Sequence, residues 1–199
     1  MDTLKPATNI KIDFIKAMRH LLKTEGLKGL DVRKIVKVTG CSIGTFYNHY
    51  KSLDDLIIYF NGETLDILKG RIFDKIDLKD TPKDIIRKLC HNYITFAEKN
   101  HTEWLLLVEH PIKIRLPEWY QDKIDQLFQQ VSATFQPILK SPKADTEKAV
   151  KVLWSSLHGI CSLTFKQKLR FAKKQDTLEL CQGLFHNYIL GYRISAGII

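Results

Sequence analysis

Apolar residues recur every three to four positions along most of the chain, the period of an amphipathic α-helix. No segment alternates apolar and polar residues over a strand's length, and β-branched residues are not clustered. The pattern therefore predicts an all-α fold of about nine helices. A first helix, Asn9–Glu25, puts Ile10, Phe14, Ala17, Met18, Leu21 and Leu22 on one face, and Gly26 ends it. A second, Val32–Val38, places Val32, Ile35 and Val36 at helical spacing. Gly40 can take the left-handed conformation that closes a helix C-terminus. Ser42 then caps a third short helix through its hydroxyl, carrying Thr45, Tyr47, Asn48, His49, Tyr50 and Lys51. Two short helices bury too little surface alone, so the first packs across them in a three-helix bundle.

A linking helix follows from Ser52 or Asp54 to Ile76, with acceptors and acids at its start where the helix dipole favours them. Thr81-Pro82-Lys83-Asp84 combines a cap, a proline at the first helical position and an acidic first turn. The helix it opens runs to Lys99 with Ile85, Leu89, Cys90, Tyr93, Ile94 and Ala97 inward. Further helices are expected over residues 102–110, Glu118–Leu139, Thr146–Phe171 and Thr177–Ser195. Pro111 and Pro117 bound an irregular connection, and residues 140–146 form a polar loop. The expected division is a helical head over residues 1–52, reaching about residue 60 with the start of the linking helix, and a helical body over residues 53–199.

Charge changes this picture from a generic helical protein to one with a polyanionic partner. The net charge is +9 over 199 residues. From Lys11 to Lys51 nine basic residues face three acidic ones, leaving +6 in this one segment. Such a field attracts nucleic acid and makes affinity salt-dependent. No apolar run reaches a membrane span and the N-terminus lacks the apolar core of a secretory signal, so a cytoplasmic location is expected. Cys41, Cys90, Cys161 and Cys181 are scattered, without a CxxC pair or metal-ligand spacing to a histidine, and read as buried free thiols. Cys41 sits in the turn of the motif, where a redox role stays open. No metal or other cofactor is implied. Gly-rich phosphate loops, metal-spaced clusters and nucleophile elbows are also missing from the sequence. His158 and Cys161 stand one helical turn apart, a common chance spacing, so an enzyme is not expected.

The run Val32-Arg33-Lys34-Ile35, Thr39-Gly40-Cys41-Ser42, Gly44-Thr45-Phe46-Tyr47-Asn48-His49-Tyr50, continuing into Lys51-Ser52-Leu53-Asp54-Asp55-Leu56, resembles the helix-turn-helix of the tetracycline-repressor (TetR) family. There are departures. Asp31 replaces a small hydroxyl cap, an equivalent N-cap. Val36 and Thr39 replace alanines, which widens the helix–helix contact. Leu53 replaces a lysine that often meets phosphate. A second stretch, Trp154 to Leu163, resembles the ligand domain of some branches. The resemblance implies a sequence-specific transcriptional regulator, a repressor released from a pseudo-palindromic operator by a small-molecule effector. The alternative is a DNA-binding regulator without such an effector, controlled by a protein partner. It also implies a homodimer formed by the last two helices, with Leu157, Ile160, Leu180, Leu184, Tyr188, Ile189 and Tyr192 at the interface. The stripe on the final helix also reads as an ordinary core face.

Within the motif the candidate DNA contacts are Arg33, Lys34, Ser42, Ile43, Gly44, Thr45, Tyr47, Asn48, His49, Tyr50 and Lys51. Arginine can fork onto guanine or clamp a phosphate, and Thr45 can meet a phosphate or a thymine methyl. Ile43 and Asn48 are candidates for specificity, whereas Phe46 reads as core. For the body, Tyr93, Phe96, Trp104, Trp119, Phe128, Trp154 and His158 are candidates for a hydrophobic or aromatic effector's pocket, since such sites are apolar with a few polar anchors. Each of them, taken singly, also reads as core. With lysine missing at position 53, Lys51 is the nearest substitute for the phosphate contact. Lys51→Ala is expected to lower operator affinity and to shrink the slope of log affinity against log salt by about one unit. An unchanged slope in a salt titration would mean that Lys51 touches no phosphate.

Overall fold

A computed structural model describes residues 9–166 and 174–197. Among these residues it contains nine α-helices and no strand: α1 Ile10–Glu25, α2 Val32–Thr39, α3 Ile43–His49, α4 Leu53–Ile72, α5 Pro82–Lys99, α6 His101–Glu109, α7 Glu118–Leu139, α8 Lys143–Phe165 and α9 Thr177–Ser195. Expected and observed bounds coincide for α7 and α9. The linking helix α4 stops at Ile72, short of Ile76. α8 starts earlier than expected, at Lys143 rather than Thr146, and the expected end at Phe171 lies outside the described residues.

Two compact units result. The first holds residues up to 65 together with residues 100–120, and the second holds residues 66–99 and 121 onward. The division read from the sequence follows chain order, whereas the compact units do not: α6 and the connection after it return to the first unit. The reason is packing. Leu106 of α6 is fully buried in the same cluster as Phe14, Met18, Leu22, Ile35, Phe46 and Leu56, with Ile112 packed against it. The connection is also tied down by polar groups. Asp54 Oδ2 accepts the Lys113 backbone N–H at 3.1 Å, and its Oδ1 lies 3.7 Å from His110 Nε2.

In the second unit α5 and α8 both pack against α9. α5 opens as its sequence predicts: Thr81 Oγ1 accepts the Asp84 N–H at 3.2 Å and donates to the Asp84 carboxylate at 2.7 Å. Inward-facing Ile85, Leu89, Cys90, Tyr93, Ile94 and Ala97 are all buried, and so is Phe96. Cys90, Cys161 and Cys181 are fully buried from α5, α8 and α9, and all four cysteines are free. Burial together with the adjacent Cys181 pushes the Cys90 thiol up, and a hydrogen bond with Cys181, followed by burial, does the same for Cys161. Protonated thiols in an apolar interior are poor nucleophiles.

Phe14 sits at 0% exposure at the centre of the first unit. Phe14→Ala is expected to lower the unfolding free energy by about 3–5 kcal/mol, the usual cost of truncating a buried phenylalanine, read from urea denaturation. A loss below about 1 kcal/mol would mean the core does not close around this ring.

Candidate nucleic-acid interface

The turn between α2 and α3 is built by local chemistry. Asp31 caps α2, its Oδ1 accepting the Arg33 N–H at 2.7 Å. Gly40 closes α2 in the left-handed region, at φ 72°, with its N–H on the Val36 carbonyl. Ser42 caps α3: its Oγ accepts the Thr45 N–H at 3.0 Å and lies 2.8 Å from Thr45 Oγ1. On the inner side of α3, Phe46 meets Phe14 edge-on with centroids 5.4 Å apart. Tyr50 lies 6.1 Å from Phe14 and 5.8 Å from Phe46. The opposite side is left open. Ile43 is 45% and Tyr47 53% exposed, and Gly44 and Asn48 are exposed beside them. Spacings of one and four residues put these four on one stripe of the helix.

The structure changes the candidate set at two positions, Tyr50 and Lys51. Tyr50 is a core residue, 2% exposed, whose hydroxyl donates to the Lys11 carbonyl at 3.3 Å; it is not available to a phosphate. α3 ends at His49, so Lys51 is not on that helix. Lys51 instead sits in the cap of α4, where its backbone N–H donates to Asp55 Oδ2 at 2.9 Å and Ser52 Oγ accepts the Asp55 N–H at 3.1 Å. This reciprocal capping box leaves the Lys51 side chain exposed. Lys34 is exposed but already paired with Glu25. A surface pair of this kind contributes about 0–1 kcal/mol, weak enough to be exchanged for another anion. Arg33 is exposed, Thr45 and His49 are half-buried, and the His49 ring lies 6.4 Å from Phe14. Lys37 of the same basic run is exposed on α2.

The candidates in the body scatter. Trp104 and Trp119 belong to the first unit, Trp104 stacked on His101 at 6.2 Å and Trp119 against Tyr59 at 5.0 Å. Tyr93, Phe128, Trp154 and His158 do come together in the second unit. Tyr93 OH and His158 Nδ1 are 2.7 Å apart, and Trp154 lies between the Tyr93 and Phe128 rings at 5.1 and 5.5 Å. The cavity at this place holds only about 30 Å³ and is lined by Tyr93, Trp154, Val131, Phe135, Leu157 and Phe185, among others. Phe96 is buried but does not line it. Leu157 and Ile189, expected at a dimer interface, are buried within the chain. Tyr188 and Tyr192 are half-buried and stacked on each other at 6.4 Å, and Ile160 and Leu184 are half-buried. The apolar residues left open on α8 and α9 are Val152, Leu163, Leu180, Leu190 and Ile194. Among the described residues no group of three or more His, Cys, Asp or Glu side chains is placed to hold a metal ion, and no helix is long and apolar enough to cross a membrane.

A capped, basic helix-turn-helix carried by an all-helical chain defines the class as a DNA-binding regulator. Comparison with known proteins gives the family. Residues 86–184 match the model described as "Tetracyclin repressor-like, C-terminal domain". The nucleoid occlusion factor SlmA of Vibrio campbellii is 30% identical over 149 residues, covering 73% of this chain and 74% of that protein. Two solved structures from Rhodococcus sp. RHA1 share the fold. A TetR-like transcriptional regulator superposes with TM-score 0.61 at 16% identity, over 98% of this chain and 100% of that one. A protein of unknown function superposes with TM-score 0.73 at 13% identity, over 96% and 98%. The chain belongs to the TetR family of transcriptional regulators, which are DNA-binding regulators and not enzymes.

Burial of Tyr50 makes a pH prediction. Its phenol is pushed up to about 12, first by burial and then by Tyr59, Asp55 and Glu63 nearby. Tyr120 is pushed up to about 12 by burial, against a hydrogen bond with Asn61. Both hold their proton more tightly folded than at the ordinary 10.0 of an unfolded tyrosine. Above that value the folded state binds more protons, so its stability falls as pH rises. The contribution is fully present below pH 10 and is lost on the way to about pH 12. Urea titrations stepped through this window should show the decline, and Tyr50→Phe should flatten it. An equal slope in the variant would contradict the burial of the Tyr50 hydroxyl.

Proposed function

We propose that this protein is a homodimeric, sequence-specific transcriptional regulator that reads a pseudo-palindromic DNA site through α3. The observation that carries the reading is the open stripe of Ile43, Gly44, Tyr47 and Asn48 on a helix whose other side is locked into the core. A helix inserted in the major groove needs a free face of small and hydrogen-bonding side chains on a rigid mount. Ile43 and Asn48 meet base edges. Arg33, Lys34, Tyr47 and Lys51 meet phosphates, joined by the Ser42, Thr45 and His49 end groups. Gly44 fits a close backbone approach: a Cβ there would meet nothing in the chain nearer than Ser42 Oγ at 3.6 Å, so the chain's own packing does not require glycine.

One head reads too few base pairs for useful selectivity, so two are needed. Leu180 and Leu184 of α9, with Leu163 of α8, form the apolar face for a second copy. For control, a small effector entering the second unit would release the repressor from its operator by binding the DNA-incompetent state more tightly. Such a ligand needs roughly 300 Å³ or more, so the cavity of about 30 Å³ would have to enlarge. The small volume removes that cavity as a ready-made effector site, and the second reading is control by a protein partner. The name nucleoid occlusion factor carried by the Vibrio relative ties that protein to the nucleoid, which supports a DNA-bound role here.

Fragments of the source genome selected by the purified protein should share an inverted repeat with half-sites about one helical turn apart. Leu180→Glu with Leu184→Glu should give a monomer by ultracentrifugation, and at least tenfold weaker binding to a selected fragment. Selection of fragments without any common sequence would overturn the proposal.

A further inference from the structure

A groove of about 630 Å³ runs between the start of α5 and α9, closed at one side by Ile138 of α7. Its volume lies in the range of sites that hold small organic ligands, unlike the interior cavity. Ile86, Ile138, Ile189 and Leu190 supply apolar lining, and Lys83, Arg87, His186 and Arg193 supply cationic or protonatable groups. Glu179 is the one acid in the lining, and Asp84 beside it reaches Arg87 at 3.5 Å. Arg193 is the informative member. Its Nε is enclosed, yet it donates to no acceptor among the described residues. An enclosed donor without an acceptor is a standing cost to the fold, and a turn of the Arg193 guanidinium toward an anion in the groove would remove that cost.

We propose that this groove binds a single-chain amphiphile with an anionic head. The hydrocarbon chain lies along Ile86, Ile138, Ile189 and Leu190, and the head meets Arg193, with Lys83 and Arg87 adding positive charge. Guanidinium groups pair with carboxylate and phosphate alike, so both heads fit. Charge complementarity selects this occupant over an uncharged lipid. At 100° per residue, Gln182, Ile189 and Arg193 lie on the other flank of α9 from Leu180 and Leu184, with Gly183 and Leu190 at the edge between the two surfaces. The occupant is therefore separated from a second copy of the chain by the mass measurement below.

The test uses the full chain without DNA, so its failure is separable from failure of the DNA-binding proposal. A fluorescent dansyl-undecanoate probe should bind once per chain. Dodecanoate or dodecyl phosphate should displace it at least tenfold better than uncharged dodecyl maltoside, and the difference between the two acids identifies the preferred head. Arg193→Gln should weaken the probe at least tenfold. Gly183→Phe should block it, since a Cβ at Gly183 meets nothing within 4 Å and the ring can enter the groove. Trp154→Phe, at the interior cavity, should leave it unchanged, and thermal melts by circular dichroism show that each variant is folded. Equal displacement by the maltoside overturns the proposal. So does unchanged binding in the folded Arg193→Gln and Gly183→Phe variants, or loss in Trp154→Phe. A concentration-dependent mass increase that Gly183→Phe abolishes would assign the groove to a second copy instead.

Discussion

The burial of one side of α3 against α1 governs what the first unit can do. Phe46 of α3 and Tyr50, the residue directly after the helix, both turn inward, and Phe14 of α1 meets both edge-on. Three aromatic rings in mutual contact admit few alternative rotations of a seven-residue helix. Such a helix has little stability of its own, and its orientation is borrowed from this cluster. The open stripe is then a consequence: once Phe46 and Tyr50 are inside, residues 43, 44, 47 and 48 must be outside. Helix position and surface chemistry are thus set by one contact, and the caps at Asp31, Gly40 and Ser42 only trim the ends.

How far this was legible in the sequence depends on the range of the physics involved. Caps act over two or three residues, and Asp31, Gly40, Ser42 and Thr81 all act as their types and neighbours indicate. Amphipathic periodicity acts over a whole helix, and α7 and α9 begin and end where it places them. Tyr50 could not be assigned from these rules. A tyrosine just after a basic motif offers a hydroxyl to phosphate or a ring to the core with equal ease, and only the position of Phe14, 36 residues earlier in sequence, decides between them. The same holds for Leu157 and Ile189: an apolar stripe does not say whether its partner is another helix of the chain or another chain.

The body teaches a different lesson. An aromatic list predicts a pocket only if the residues meet and leave space between them. Trp104 and Trp119 are drawn into the first unit, and the four that do meet, Tyr93, Phe128, Trp154 and His158, fill their own space. A cavity is the absence of atoms, so nothing in composition signals it. The burial of three cysteines from three helices is likewise a property of packing, not of spacing along the chain. By contrast, α9 shows different chemistry on each flank, apolar toward one side and cationic over an apolar floor toward the other. That asymmetry lets one helix support two separate contacts.

The return of α6 and the following connection to the first unit has a consequence for exchange between relatives. A head joined to its body by a single crossover, at residue 52 or at residue 65, leaves behind Leu106 from its core and the His110 and Lys113 groups that hold Asp54. A chimera made that way carries a hole where α6 belongs, filled by whatever the recipient body supplies. Moving such a head intact therefore means moving its matched internal segment with it.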